Sequence, residues 1–130
     1  MNFDKICASS SPSPNRWSDK VPSREMTIKE IHHFVEAFAK TAKLLKDAGV
    51  DGVEIHAVHE GYLLDQFTLR YVNKRTDEYG GSFENRYRFP VEIVNAIKAA
   101  NEEVDNIFRM NEYQIQAIAN DIAQQVQSST

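Results

Sequence analysis

The sequence predicts an α/β fold, and three observations carry that reading. A capped amphipathic helix spans about residues 27–49, a short alternating apolar run follows it after a glycine turn, and a second amphipathic helix begins near Ser82. Helix, strand and helix in close succession are the repeating pattern of α/β architectures. The 130 residues have the size of one ordinary domain with one core.

Taken in order, "CASSSPSPNRWSDKVPSREM", Cys7 to Met26, is rich in serine and proline and has neither helical nor strand periodicity. Residues 1–26 therefore read as an extended loop or arm. Thr27 followed three residues later by Glu30 is a capping-box pattern that satisfies orphan amide donors at a helix start. Ile31, Phe34, Val35, Phe38, Ala42 and Leu45 then form one apolar stripe, and Gly49 suits the left-handed residue that closes a helix. In "DGVEIHAV", Val53, Ile55 and Ala57 alternate with Glu54, His56 and Val58, which reads as the β element of the unit. The next helix runs from about Ser82 with Phe89, Ile93 and Ile97 on one face; Pro90 implies that its regular part starts there or bends there. Residues 27–100 are thus βα units. Within 101–130, "VDNIFRM" reads as a following strand and "NEYQIQAIANDIAQQV" as a helix capped by Asn111, with Ile115, Ile118, Ile122 and Val126 inward.

Fifteen basic and nineteen acidic residues are interspersed, for a formal charge of −4. That balance gives neither a nucleic-acid footprint nor a polybasic membrane patch, so small-molecule or protein partners are expected. Cys7 is the sole cysteine, which excludes an internal disulfide and a cysteine-cluster metal site and reads as an incidental thiol. There is no apolar stretch of roughly 18 residues and no leader-like start, so the cytoplasm is the expected location.

Chemistry concentrates in "HAVHEGY", where His56, His59 and Tyr62 lie within seven residues at the carboxyl end of the predicted strand, the end where α/β folds place working groups. On the bare residues, polar capping of a strand end competes with catalysis. His56, His59 and Glu60 are suitable metal ligand types, but no third spaced histidine and no helix presents them, so no metal is expected. His32 and His33 read as solvated or partly packed. In "NKRTDEYGGSFENR", Gly80-Gly81 make a tight turn, Ser82 caps the next helix, and Arg75, Asp77, Glu84 and Arg86 suit an ion-pair and hydrogen-bond network that serves as scaffolding.

"DGVEIHAVHEGYLLDQF" followed by "NKRTDEYGGSFENRYRFPVEIVNAI" resembles the central segment of the old yellow enzyme family, from about Gly49 to Ile97. "ASSSP" sits where that family has a serine-proline loop. The family comprises FMN-dependent NAD(P)H oxidoreductases and ene reductases built on a (β/α)8 barrel. The resemblance therefore implies a partial (β/α)8 (TIM) barrel segment, FMN as cofactor, NADH or NADPH as reductant, and a small enone-type substrate. It gives His56 and His59 the task of hydrogen-bonding the substrate carbonyl, where aimed donors stabilise developing enolate charge by a few kcal/mol. It makes Tyr62 the general acid at the α-carbon. "NIFRMN" loosely matches a family V-x-V-R-L-S pattern, which implies Arg109 beside the flavin.

The chain departs from the pattern at Glu60, an extra residue between His59 and Gly61, and "FTLRYVN" lacks the proline that the family usually carries before the asparagine. The extra residue either bulges out or shifts Tyr62, and a misplacement on the order of 1 Å can cost about 10²-fold in rate. A barrel typically needs about 250 residues, and the glycine-rich loops that hold the FMN phosphate have no counterpart in these residues. Two readings follow. The chain is part of an FMN-dependent oxidoreductase acting on activated C=C bonds, incomplete by itself, or it is a non-catalytic barrel fragment that works as a self-associating or partner-binding module. Both predict a homo-oligomer or a complementing chain, because open parallel strands leave edges unpaired.

Overall fold

The computed structural model describes residues 7–15, 18–57 and 62–101. Within them lie three strands, β1 (Ala8–Ser9), β2 (Ser13–Asn15) and β3 (Ser18–Glu25), and three helices, α1 (Ile28–Asp47), α2 (Leu63–Thr68) and α3 (Phe83–Ala100). The predicted strand "VDNIFRM", the helix after it, and Arg109 lie outside the described residues, as do His59 and Glu60.

The arm expected to be an irregular loop is instead a small sheet of order β1-β3-β2. β1 runs parallel to β3, with Ala8 opposite Arg24 and Ser9 opposite Glu25, while β2 is antiparallel to β3 with an irregular register between Ser13 and Asn15. Strand periodicity is invisible in this stretch because none of residues 20–25 of β3 is buried. Pro14 is tolerated because β2 is an edge strand, where a missing amide costs no ladder bond.

α1 begins as the sequence predicts. The Thr27 hydroxyl accepts from the Glu30 amide at 3.2 Å, and the Glu30 carboxylate accepts from the Thr27 amide at 2.9 Å. Arg24 closes this junction with a two-pronged bond to the same carboxylate, at 2.9 and 2.5 Å, tying the end of β3 to the start of α1. Gly49, with φ of +86°, ends the helix in the left-handed region open to glycine.

The core joins Met26, Ile31, Ala42, Leu64, Phe67, Tyr79, Phe89, Ile93 and Ile97. Phe89, Ile93 and Ile97 are the face predicted for α3, and each such side chain buried contributes roughly 1.5–3 kcal/mol. α3 starts at its Ser82 cap and continues through Pro90 as one helix, even though Pro90 has no amide to offer the carbonyl of Arg86. Only the centre of the predicted α1 stripe is covered: Ile31 and Ala42 are buried and Val35 and Phe38 pack on the core, while Phe34 and Leu45 are each 39% exposed. At about 100° per residue, Phe34 and Leu45 lie together on one flank of that stripe.

The predicted strand over "DGVEIHAV" is not realised as a strand. Residues 51–57 join no ladder among the described residues. The alternation nevertheless survives, since Val53, Ile55 and Ala57 pack against the core while Glu54 and His56 are exposed. A strand is defined by its neighbours' hydrogen bonds, and a period-2 pattern supplies the face without supplying the neighbour.

Candidate functional site

His56 stands at the end of that alternating segment on its exposed side. Tyr62 is the cap residue of α2, with extended backbone, and is 54% exposed. The fold brings the two together: their rings meet edge to face, with centroids 4.9 Å apart and planes at 87°. A T-shaped contact of this kind is favourable for two aromatic rings and sets the phenol and the imidazole side by side.

α2 is held from three directions. The Ser10 hydroxyl donates to the Gln66 carbonyl at 2.6 Å, the Asn73 side-chain amide to the Phe67 carbonyl at 2.7 Å, and Arg86 Nε to the Thr68 carbonyl at 3.0 Å. The serine loop is fixed at further points, with Ser9 Oγ donating to Gln66 Oε1 at 3.2 Å and the Lys74 amide donating to Ser11 Oγ at 2.8 Å.

Beneath the loop lies Arg75, whose side chain is only 2% exposed. Its Nη1 donates to the carbonyls of Ser10 and Met26 at 3.1 and 2.7 Å, and its Nε and Nη2 make a two-pronged bond to Asp77 at 2.9 and 2.5 Å. That fork holds the Asp77 carboxyl below its ordinary value, against the opposing effect of burial. The guanidinium also sits 5.8 Å from the centroid of the Phe67 ring. A buried cation is stable only when its donors are met, and here loop carbonyls and a carboxylate meet them.

The scaffolding role predicted for this motif holds for Arg75 and Asp77 but takes another form for the other two residues. Arg86 reaches backbone carbonyls, those of Thr68 and Gly81. Glu84 is stabilised in its charged form first by its own backbone amide and then by the Ser82 hydroxyl, which hold its carboxyl below the usual range.

A second polar chain escaped the sequence reading. The Tyr79 hydroxyl, buried between helices, donates to Glu92 on α3 at 2.9 Å, and His32 Nε2 on α1 lies 3.1 Å from the same oxygen. With the phenolic proton committed to Glu92, His32 is the donor. Burial, and then the Glu92 carboxylate, push the Tyr79 hydroxyl well above the ordinary tyrosine value. The spacing from 32 to 79 to 92 has no local signature, so periodicity leaves His32 among solvated side chains.

An open basin of about 550 Å³ lies beside the loop, with Arg70, Lys74, Arg75 and Arg86 among its walls. Arg75 and Arg86 are already committed to the carbonyls and carboxylate named above. Among the described residues, no group of three His, Cys, Asp or Glu side chains comes close enough to hold a metal ion.

The sequence model of the NADH:flavin oxidoreductase / NADH oxidase family matches residues 4–129. Over 94 residues the chain is 54% identical to a cinnamate reductase of Clostridium sporogenes, a stretch that is 72% of this chain and 14% of that protein. Over 76 residues it is 51% identical to 12-oxophytodienoate reductase 2 of Arabidopsis thaliana, 58% of this chain and 20% of the relative. Among solved structures, morphinone reductase in complex with tetrahydroNAD matches with a TM-score of 0.64 at 33% identity, over 72% of this chain and 29% of that one. Histamine dehydrogenase from Rhizobium sp. 4-9 matches with a TM-score of 0.69 at 35% identity, over 75% and 15% respectively. The chain thus spans only 14% of the length of that cinnamate reductase and 20% of that oxophytodienoate reductase. On this evidence of sequence and fold together, the chain belongs to the NADH:flavin oxidoreductase / NADH oxidase family, to which the old yellow enzyme-type reductases belong.

Proposed function

We propose that this chain is the substrate-orienting segment of an FMN-dependent NAD(P)H oxidoreductase that reduces activated, enone-type C=C bonds, and that its βα units form part of a (β/α)8 barrel. The observation that carries the reading is the exposed His56–Tyr62 pair, joined at 4.9 Å by a fold whose relatives include cinnamate and oxophytodienoate reductases. Flavin, when bound, supplies the hydride received by the β-carbon. His56 and His59 donate hydrogen bonds to the substrate carbonyl as negative charge gathers there, and Tyr62 delivers a proton to the α-carbon. Arg109, which lies outside the described residues, would hold the flavin ring on the resemblance of "NIFRMN" to the family pattern.

The described residues fit the substrate side of a flavin better than its phosphate side. His56 and Tyr62 offer a donor and a proton source on an open face. Around the basin, by contrast, two of the four cations named are spent on protein groups, and no glycine-rich nest of amides is present among the described residues. The lack of a phosphate-binding nest among the described residues, together with the small share of each relative that the chain spans, favours one second reading: a non-catalytic barrel segment that assembles with another copy or with a complementing chain.

Absorption between roughly 350 and 500 nm after gel filtration with FMN separates the two, because only a retaining site keeps oxidised flavin with the protein. Retained colour that NADH bleaches supports the enzymatic reading, and a colourless protein supports the second. In a flavin-loaded assembly His56→Ala is expected to abolish binding of a phenolic enone mimic. Unchanged binding would remove His56 from the site.

A further inference from the structure

Six residues cannot hold a helix by their own hydrogen bonds, because nucleation consumes what so short a ladder returns. The position of α2 (Leu63–Thr68) is therefore set by whatever grips its ends. At the amino end Tyr62 makes no side-chain capping bond. At the carboxyl end three successive carbonyls, of the kind every helix leaves without an internal partner, are each met by a different segment: Gln66 by Ser10, Phe67 by Asn73, and Thr68 by Arg86. All three donors are buried, with exposures of 0%, 5% and 3%. The line continues through the helix itself, where the Gln66 amide donates to the Tyr62 carbonyl at 3.1 Å.

We propose that Ser10, Asn73 and Arg86 are positioning residues that set where Tyr62 stands relative to His56. The inference rests on the reading that gives Tyr62 the proton-delivering role. The clamp grips the end of α2 remote from Tyr62, so a small change in the grip is carried along the helix to the phenol. Displacements on the order of 1 Å are enough to cost about 10²-fold in rate. Arg75 adds a further tie, since its Nη1 holds the Ser10 carbonyl while the Ser10 hydroxyl holds α2.

The test follows the His56 ring protons by NMR in the full chain without flavin, because an edge-on aromatic neighbour shifts them. Ser10→Ala removes one hydroxyl from a fully buried site. At a temperature where parent and variant are both folded, the His56 resonances are expected to move toward their positions in Tyr62→Ala, with a lowered Tm. Arg86→Lys, which keeps the cation but not the forked donor, moves them the same way and answers the question should Ser10→Ala fail to fold. A lowered Tm with His56 resonances at the parent values in both variants would mean that the clamp is structural only, and the proposal falls. In a flavin-loaded assembly, the same variants lower alkene reduction about tenfold or more while turnover with ferricyanide, which takes no proton at carbon, is kept. A colourless chain would count against catalysis by this chain alone, whereas the NMR outcome decides the positioning claim independently.

Discussion

A methyl group added at Gly80 would overlap the backbone carbonyl and Cβ of Arg75, whose buried side chain is tied to the Met26 carbonyl and the Asp77 carboxylate. Neither neighbour can yield without breaking the Arg75 fork, so Gly80→Ala is expected to destabilise by roughly 1–3 kcal/mol through overpacking. Gly81 differs, since its surroundings are open and only its φ of +81° resists a side chain; Gly81→Ala should cost about 1–2 kcal/mol from backbone strain. Urea denaturation of both variants checks the pair, and a smaller loss at Gly80 than at Gly81 would contradict the packing argument. Glu30 carries a separate prediction. Arg24 first, and then the Thr27 amide, lower its carboxyl from 4.5 to about 2. A depressed folded value stabilises above the unfolded one and is lost on acidification. The gap in urea midpoint between parent and Glu30→Gln should therefore be full above about pH 4.5 and close as pH falls toward 2. A gap that does not change across that window would show that the charged form of Glu30 is not what holds the β3–α1 junction.

Elements with an apolar face and a cap were legible from the sequence, and elements held by polar contacts were not. α1 and α3 each announce their start in one residue, Thr27 and Ser82, and their buried face in a 3.6-residue rhythm, because burial is what that rhythm records. The sheet at Ala8–Glu25 buries little apolar surface and leaves no rhythm to read. α2 is too short for a period and is fixed by Ser10, Asn73 and Arg86, which lie far apart in sequence. Of the candidate site, the nearness of His56 and Tyr62 was legible as spacing, whereas the clamp behind Tyr62 was not, since hydrogen bonds to backbone carbonyls require no particular residue pattern. For α3, whose central Phe89 is fully buried against Phe67 at a ring separation of 4.9 Å, Phe89→Ala should cost roughly 3–5 kcal/mol. A loss near 1 kcal/mol in a urea titration would mean that α3 contributes far less to the core than its burial implies.

At the scale of the molecule, the exposed flank of α1 and the ladder-free segment 51–57 are two expressions of one condition. Phe34 and Leu45 lie half-covered beside the core, and Val53, Ile55 and Ala57 press a strand-like face onto it with no strand beside them among the described residues. The named relatives are several times longer than the stretch they share with this chain, and a face of this kind is completed by further elements packed beside it. Backbone amides exchange slowly when a ladder bond holds them and quickly when packing alone does. In the isolated chain, the amides of residues 53–57 are therefore expected to exchange far faster than those of residues 93–97 in the middle of α3. A complementing chain that carries the remaining βα units should slow the first group selectively and leave the second unchanged. If residues 53–57 are already as protected as α3 in dilute, monomeric protein, the segment has its ladder without help, and the need for a partner loses its structural basis.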